Sequence, residues 1–439
     1  MKSHISMWCG LALVVCVATG ANAKDFDVRA YGAAGDGRTK DTAALQKAID
    51  ECADFGGGRV VLEKGTYLTG TLLLKSGVEL HLDVTATLLG SPDSADYPER
   101  AWKHMDAKRL PRGRGAALIA ADQAVNVAIT GRGTIDGNGM AFVRKRATLD
   151  GYTRLYCPYE RDPDHLGPPR LIFLAGCRNA LFTDFTVVNS PSGWTFYLND
   201  CDLAHFDRVN ILAGLQAPNI DGIHLNCCRD VMVSNCRIET QDDSIVLRGD
   251  DHMLRTRNRP CERITFANCS LRSFCSAIRI SYLHDASPVR SCVFSNLVIA
   301  DSNMGIRIEL RPKRTSLDPK TRKPRLRPDG TPCLSDKPPM SLVEDLVFSN
   351  IDMQRTGTPL TVTIGDRPWT ACRTRGIRFT DVHARAADRL ELLGGEGNPL
   401  EDFTFVNCSL RTQHPAKMRH CTGFRYDAGT FTLPPKPAN

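Results

Sequence analysis

Along much of the chain apolar and polar residues alternate in short bursts, and the bursts resemble one another. "LFTDFTVVN" begins at Leu181, "HFDRVNILA" at His205, "MVSNCRIET" at Met232 and "TFANCSLRS" at Thr265. The phrase returns as "VFSNLVIAD" from Val293, "VFSNIDMQR" from Val347, "RFTDVHARA" from Arg378 and "TFVNCSLRT" from Thr404. A period of two is that of a half-buried strand. The centres of the phrases are Asp184, Arg208, Asn235, Asn268, Asn296, Asn350, Asp381 and Asn407. Most are Asn or Asp, which accept the backbone of a tight bend. These centres lie 24 to 33 residues apart, except for one step of 54. A repeat of this length with no helical period between the strands predicts a solenoid whose coils are a few short strands each. The expected fold is therefore all-β: a single-domain right-handed parallel β-helix over residues 24–439.

Two segments depart from the strand pattern. The long step holds "RPKRTSLDPKTRKPRLRPDGTPCLSDKPPM", whose Pro, Lys and Arg content is wrong for a core strand, so a loop inserted at about 311–341 is expected. Near the front, Leu45, Ala48, Ile49 and Cys52 fall at i, i+3, i+4 and i+7, and the run closes on Gly56-Gly57-Gly58. That pattern predicts a helix at about 41–53, placed to cap the open sheet edge at the end of the solenoid. In the same way Cys236, Cys269 and Cys408, each following its Asn, are expected to stack as small side chains inside successive coils.

Composition adds a compartment. Residues 1–23 have Lys2, an apolar centre from Met7 to Thr19 and the small-residue pattern Ala21-Asn22-Ala23, which reads as a cleaved signal peptide and a secreted or periplasmic protein. The apolar run is short of the ~20 residues a spanning helix needs, so no membrane partner is expected. Of 17 cysteines, two lie in that leader, which leaves an odd number, so at least one stays free or pairs between chains. No CxxC pair suggests zinc, and no metal or cofactor is expected. The net charge of +7 is uneven: Arg311 to Lys337 holds nine Lys or Arg against three Asp. A basic patch suits a polyanion such as an acidic polysaccharide. It has no interleaved aromatics, so nucleic acid is not expected as a partner. A monomer is expected.

The candidate chemistry lies in "NIDGIHLNCCRDVMVSNCRIETQDDSIVLRGD", from Asn219 to Asp250. Asp221 and Asp242 are 21 residues apart, close to one coil, and so fall on neighbouring rungs ~4.8 Å apart. Asp242 and Asp243 would point to opposite faces of a regular strand, so they share a site only at a bend. Carboxyls crowded this way raise at least one pKa. A carboxylic acid beside carboxylates can cleave a glycosidic bond, one group protonating the leaving oxygen and another activating water, and inverting enzymes hold the two ~6.5–9.5 Å apart.

These motifs resemble the polygalacturonases and their relatives in glycoside hydrolase family 28. The resemblance runs through "FDVRAYGAAGDGRTKDTAALQKAID", "GTYLTGTLLLKSGVELHLDVTATLLGS", "ITGRGTIDGNG" and "NSPSGWTFYLNDC", and is most specific at "NIDG" and "QDDSIVLRG". It implies Asp242 as general acid, Asp221 and Asp243 as the pair holding the attacking water, and Asn219 as a sugar-binding or orienting residue. It also implies inversion on an acidic pectic polysaccharide or oligosaccharide. Two positions depart from the family. "SFCSAIRIS" sets Phe274 where a supporting histidine is expected, and "GIRIEL" keeps Arg307 but sets Glu309 where a lysine would grip a galacturonate carboxylate. A glutamate there would repel such a carboxylate. Arg279 or Arg248 could restore positive charge, or all three arginines could be surface residues with local partners only. The departures point to an atypical member acting on rhamnogalacturonan, a decorated galacturonan or oligosaccharides. Two other readings stay open. The aspartates could ligate calcium while Arg279 or Arg307 acts as the base of a lyase or epimerase, or the chain could be a non-catalytic carbohydrate-binding β-helix.

Overall fold

The computed structural model describes residues 24–106, 115–150, 157–191, 193–214, 216–256, 259–281, 283, 287–310, 341–364, 372–395 and 397–431. The expected signal peptide (1–23) and the basic segment up to residue 340 lie outside these residues. Within them no helix is long and apolar enough to cross a membrane.

The chain winds as a right-handed parallel β-helix. One coil runs through Arg170–Ala175, Arg178–Thr183 and Thr186–Val188, and the next through Trp194–Asn199, Asp202–Asp207 and Asn210–Leu212. Each strand pairs in parallel with its counterpart one coil on, so Phe173 faces Tyr197, Phe182 faces Phe206 and Val187 faces Ile211. The first strands of the coils form a separate sheet of eleven strands, which runs from Leu72–Leu73 to Lys417–Arg419.

Period two explains both faces of each strand. In the repeated phrase the phenylalanine points inward, and Phe266, Phe294, Phe348, Phe379 and Phe405 are register partners in one stack. Their ring centroids are 4.7–5.6 Å apart and the planes within 4–9° of parallel. All eight phrase centres, Arg208 included, take a left-handed φ between 50° and 72°. Their side chains are bonded from coil to coil: Asn235 Nδ2 donates to Asp207 at 2.7 Å, Asn296 to Asn268 at 3.1 Å and Asn350 to Asn296 at 2.8 Å. The predicted bend and its ladder are therefore one device.

The helix spans Thr42–Asp54 and buries Leu45, Ala48, Ile49 and Cys52, the four residues of its apolar stripe. Cys236, Cys269 and Cys408 are buried, and all fourteen described cysteines are free thiols.

Candidate active site

The eleven-stranded sheet carries the candidate residues on its outer face. Asp221 stands just before the strand Ile223–Asn226, and Asp243 just before Ile245–Arg248. The register Ile223↔Ile245 sets the two aspartates side by side on neighbouring coils. Backbone bonds tie the starts of these two strands together: Gly222 N donates to Asp243 O at 2.9 Å and Asp242 N to Ile220 O at 3.0 Å. Gly222 has to be glycine because a Cβ there would collide with the Ser244 carbonyl.

Between Thr240 and Ile245 the strand is interrupted by a bend, the condition for Asp242 and Asp243 to share a site. The bend is fixed by side chains. Thr240 Oγ1 and Ser273 Oγ donate to the Asp242 carbonyl at 2.6 and 2.7 Å, and Ser276 N donates to Asp243 Oδ1 at 3.2 Å. Asn219 Nδ2 lies 3.4 Å from Asp242 Oδ2, so it orients the acid from the previous coil.

The three aspartates differ in electrostatic setting. Burial, then the charge of Asp243, pushes the Asp242 carboxyl up. Asp221 is pushed well up by burial and by both other carboxylates. Asp243 is held by Arg279, whose Nη1 is 2.8 Å from Oδ2. That contact sets a cation against Asp243, while burial and crowding favour a proton on Asp221 and Asp242.

Sequence reasoning missed several neighbours. His224 Nε2 is 2.9 Å from Asp221 Oδ2, and burial with the cations Arg248, Arg170 and Arg279 pushes the imidazole well down, to its neutral form. The Trp194 indole lies between the His224 ring, 3.8 Å away at 16°, and the Arg170 guanidinium, 3.7 Å from its centroid. Two signals were available. Period two in "IHLN" points His224 and Asn226 outward, and Trp194 lies 27 residues, one coil, before Asp221. Among the described residues Asp221 Oδ1 and His224 Nδ1 are buried with no hydrogen-bond partner, leaving polar capacity at the floor of the site.

Two expectations need correction. Phe274 is not the residue to consider alone beside the acid pair, because its neighbour Cys275 reaches that pair: ligand atoms of Asp242, Asp243 and Cys275 all lie within 4.8 Å of one another. Phe274 packs over the Arg272 guanidinium at 5.4 Å. The thiol is pushed up by burial and by both aspartates, so it is a neutral neighbour. Two carboxylates and a protonated thiol also make a poor calcium site, since calcium takes six to eight oxygens.

The second correction concerns Glu309, which is not a bare negative charge. Its Oε2 is 3.1 Å from Arg279 Nη2 and 2.7 Å from Arg307 Nη2. Register explains this, because Arg279 faces Arg307 and Ser281 faces Glu309. Asp243, Arg279, Glu309 and Arg307 form one chain of alternating charge. Arg248 lies apart from it, stacked 4.8 Å from the Trp194 centroid and 3.3 Å from Asp250. The structure thus brings Asp221, Asp242, Asp243, Asn219, Arg279, Arg307 and Glu309 together and sets Arg248 on the Trp194 side.

A fold of this class with three crowded carboxyls on the outer face of one sheet invites comparison with known enzymes. The model of glycosyl hydrolases family 28 matches residues 59–316, and the chain belongs to that family. An exo-poly-alpha-D-galacturonosidase of Dickeya chrysanthemi is 28% identical over 334 residues, covering 68% of this chain and 54% of that protein. A probable polygalacturonase of Vitis vinifera is 29% identical over 311 residues, covering 67% and 58%. The chain therefore spans a little over half the length of these two curated relatives. The family 28 exopolygalacturonase of Yersinia enterocolitica matches in structure over 96% of this chain and 80% of its own, with 20% identity and a TM-score of 0.62. That likeness speaks for the fold.

Proposed function

We propose that this protein is a secreted inverting glycosidase that cleaves pectic polysaccharide or its oligosaccharides. The observation that carries the reading is the contrast between two adjacent carboxyls, Asp242 pushed up by burial and Asp243 tied to Arg279. A carboxyl that burial favours in its protonated form, beside one bonded to a cation, is equipped to act as the general acid. Asp242 donates its proton to the glycosidic oxygen as the bond to the anomeric carbon breaks. Water held by Asp221 and Asp243 attacks that carbon from the opposite side and gives its proton to Asp243, so the configuration inverts and the elements of water are added across the bond. Inversion is taken from the family, because Asp242 and Asp243 approach within 4.8 Å, closer than the ~6.5–9.5 Å usual for an inverting pair. Asp221, bonded to neutral His224, completes the water site as a hydrogen-bonding group.

The charged chain bears on specificity. Arg279 and Arg307 both meet Glu309, which favours a neutral or esterified sugar beside the cleaved bond over a bare galacturonate. Rhamnogalacturonan and decorated galacturonan fit better than unmodified polygalacturonan. A lyase would need one of these arginines as its base, and an arginine held by two carboxylates is a poor proton acceptor. Export by the leader at residues 1–23 belongs to the same reading, since the substrate is a wall polymer.

A proton NMR time course on a panel of pectic polysaccharides, run with the wild type and with Asp242→Asn, tests the proposal. An inverted anomeric signal that the variant cannot produce is expected. Unsaturated uronate signals would mean a lyase, and no product from any substrate would mean a binding protein.

A further inference from the structure

The coil that carries Cys275 also opens into a cavity of about 1000 Å3, which begins at Phe274 and runs toward the C-terminal coils. Its lining includes Arg272, Arg355, Arg385, Arg411 and a single acidic residue, Asp301. The rungs 274, 302, 356, 386 and 412 follow one another by register, so four steps of ~4.8 Å carry the cavity about 19 Å along the helix axis.

Several arginines elsewhere sit against a carboxylate one coil away, as Arg59 does on Asp25, Arg208 on Asp184, Arg263 on Asp230 and Arg375 on Glu344. Arg355 does the same with Asp301, at 2.6 Å. Arg385 and Arg411 do not. They are register partners, arginine on arginine, both exposed, and among the described residues neither has a carboxylate within ion-pair distance. Two like charges on neighbouring rungs ~4.8 Å apart repel each other, so an anion bound between them would be attracted by both. Guanidinium groups match carboxylates in paired hydrogen bonds. Cations repeated along a line suit a polymer that repeats its carboxylates along a line, and the half-buried Phe274 ring supplies an apolar face at the end nearest the acids.

We propose that this arginine-lined groove binds the uronate stretch of an acidic glycan several sugars from the bond being cleaved. The inference rests on the glycosidase reading for its substrate class and extends it. Acidic units are recognised in the groove, while the sugar beside Asp242 need not be charged.

The test is calorimetric titration of the full chain carrying Asp242→Asn, which cannot turn over, with galacturonate oligomers of increasing length and with the same oligomers after carboxyl reduction. Affinity is expected to climb with length for the acidic series only, and to weaken with salt. Adding Arg385→Ser and Arg411→Ser should weaken the long acidic oligomers roughly 10-fold or more and leave the reduced series unchanged. Arg385→Lys with Arg411→Lys should recover part of the loss. Unchanged affinity in a folded double Ser variant overturns the proposal, as does equal displacement of the oligomer by inorganic phosphate, which would mark a general anion site. The outcome separates from that of the glycosidase reading. Arginine-dependent binding with no hydrolysis by the wild type sinks the enzyme and keeps the groove, whereas hydrolysis with arginine-independent binding sinks the groove alone.

Discussion

The inside of the solenoid and the outer face of its eleven-stranded sheet obey the same register but use it in opposite ways. Inside, a column keeps its residue from coil to coil, as with the stack Phe266, Phe294, Phe348, Phe379 and Phe405. On the outer face a column changes over its first three steps and repeats only at the last: Tyr197, His224, Val246, Arg279 and Arg307 are successive register partners. Repetition gives neighbouring coils identical packing, so each supports the next and stability is shared along the axis. Change from coil to coil places unlike groups ~4.8 Å apart, which is how a cation comes to rest between Asp243 and Glu309. In a solenoid, the column that stops repeating is where chemistry can be found.

Two substitutions should separate those roles most sharply. Asp242→Asn removes the proton donor and is expected to lower kcat by about 10²–10⁴ while leaving the melting temperature near wild type. A melting temperature that collapses with activity would make Asp242 part of the scaffold. Phe348→Ala should do the reverse. It empties the middle of the ring stack, where Phe348 is fully buried between Phe294 and Phe379, and should cost about 3–5 kcal/mol of stability. Chemical denaturation measures it, and kcat per folded molecule should hold. A loss under about 1 kcal/mol would mean that the coils relax into the gap.

The repeating part of the molecule was legible in the sequence for the reason that makes it stable. Eight similar phrases announce equivalent coils, and the stripe Leu45, Ala48, Ile49 and Cys52 announces a helix with one buried side. The aspartates were legible too, because 21 residues is nearly one coil and adjacent Asp residues demand a bend. What could not be read was lateral pairing. Glu309 looked like a repulsive charge until the register set it against two arginines. Phe274 and Cys275 show the sharpest limit, since both lie in the bend between Ser270–Ser273 and Ser276–Ser281, where no strand alternation tells which side chain meets the acids. His224 and Trp194 were overlooked because no single residue type marks them, only their phase relative to Asp221.

A gentler break falls on the turn ladder. Asn296 accepts from Asn350 at 2.8 Å, donates to Asn268 at 3.1 Å and holds φ at 54°. Asn296→Ala loses the bonds and keeps a Cβ in the left-handed region, for a cost of about 1–2 kcal/mol. Asn296→Gly loses the same bonds but is free of the backbone penalty, so it should cost less. Equal losses would show that the bonds alone matter at this position.

The smallest expected effect belongs to the changing column and has the opposite sign. An unfolded aspartate ionises near pH ~3.9, whereas folded Asp221 is pushed well up by burial and by its two acidic neighbours. Between those two pKa values the folded state binds more protons than the unfolded one, so this group's contribution to stability is complete at low pH and is lost as pH rises through the folded value. Asp221→Asn removes the ionisation and retains a polar side chain for His224. The variant should therefore melt higher than wild type at about pH 7, by on the order of a few degrees, with the gain vanishing by about pH 4. The phenylalanine stack has no such pH dependence, and Phe348→Ala should be destabilised equally at both. If Asp221→Asn tracks wild type across the range, the buried carboxyl carries no electrostatic penalty, and the crowding invoked to keep a proton on Asp242 loses its clearest independent support.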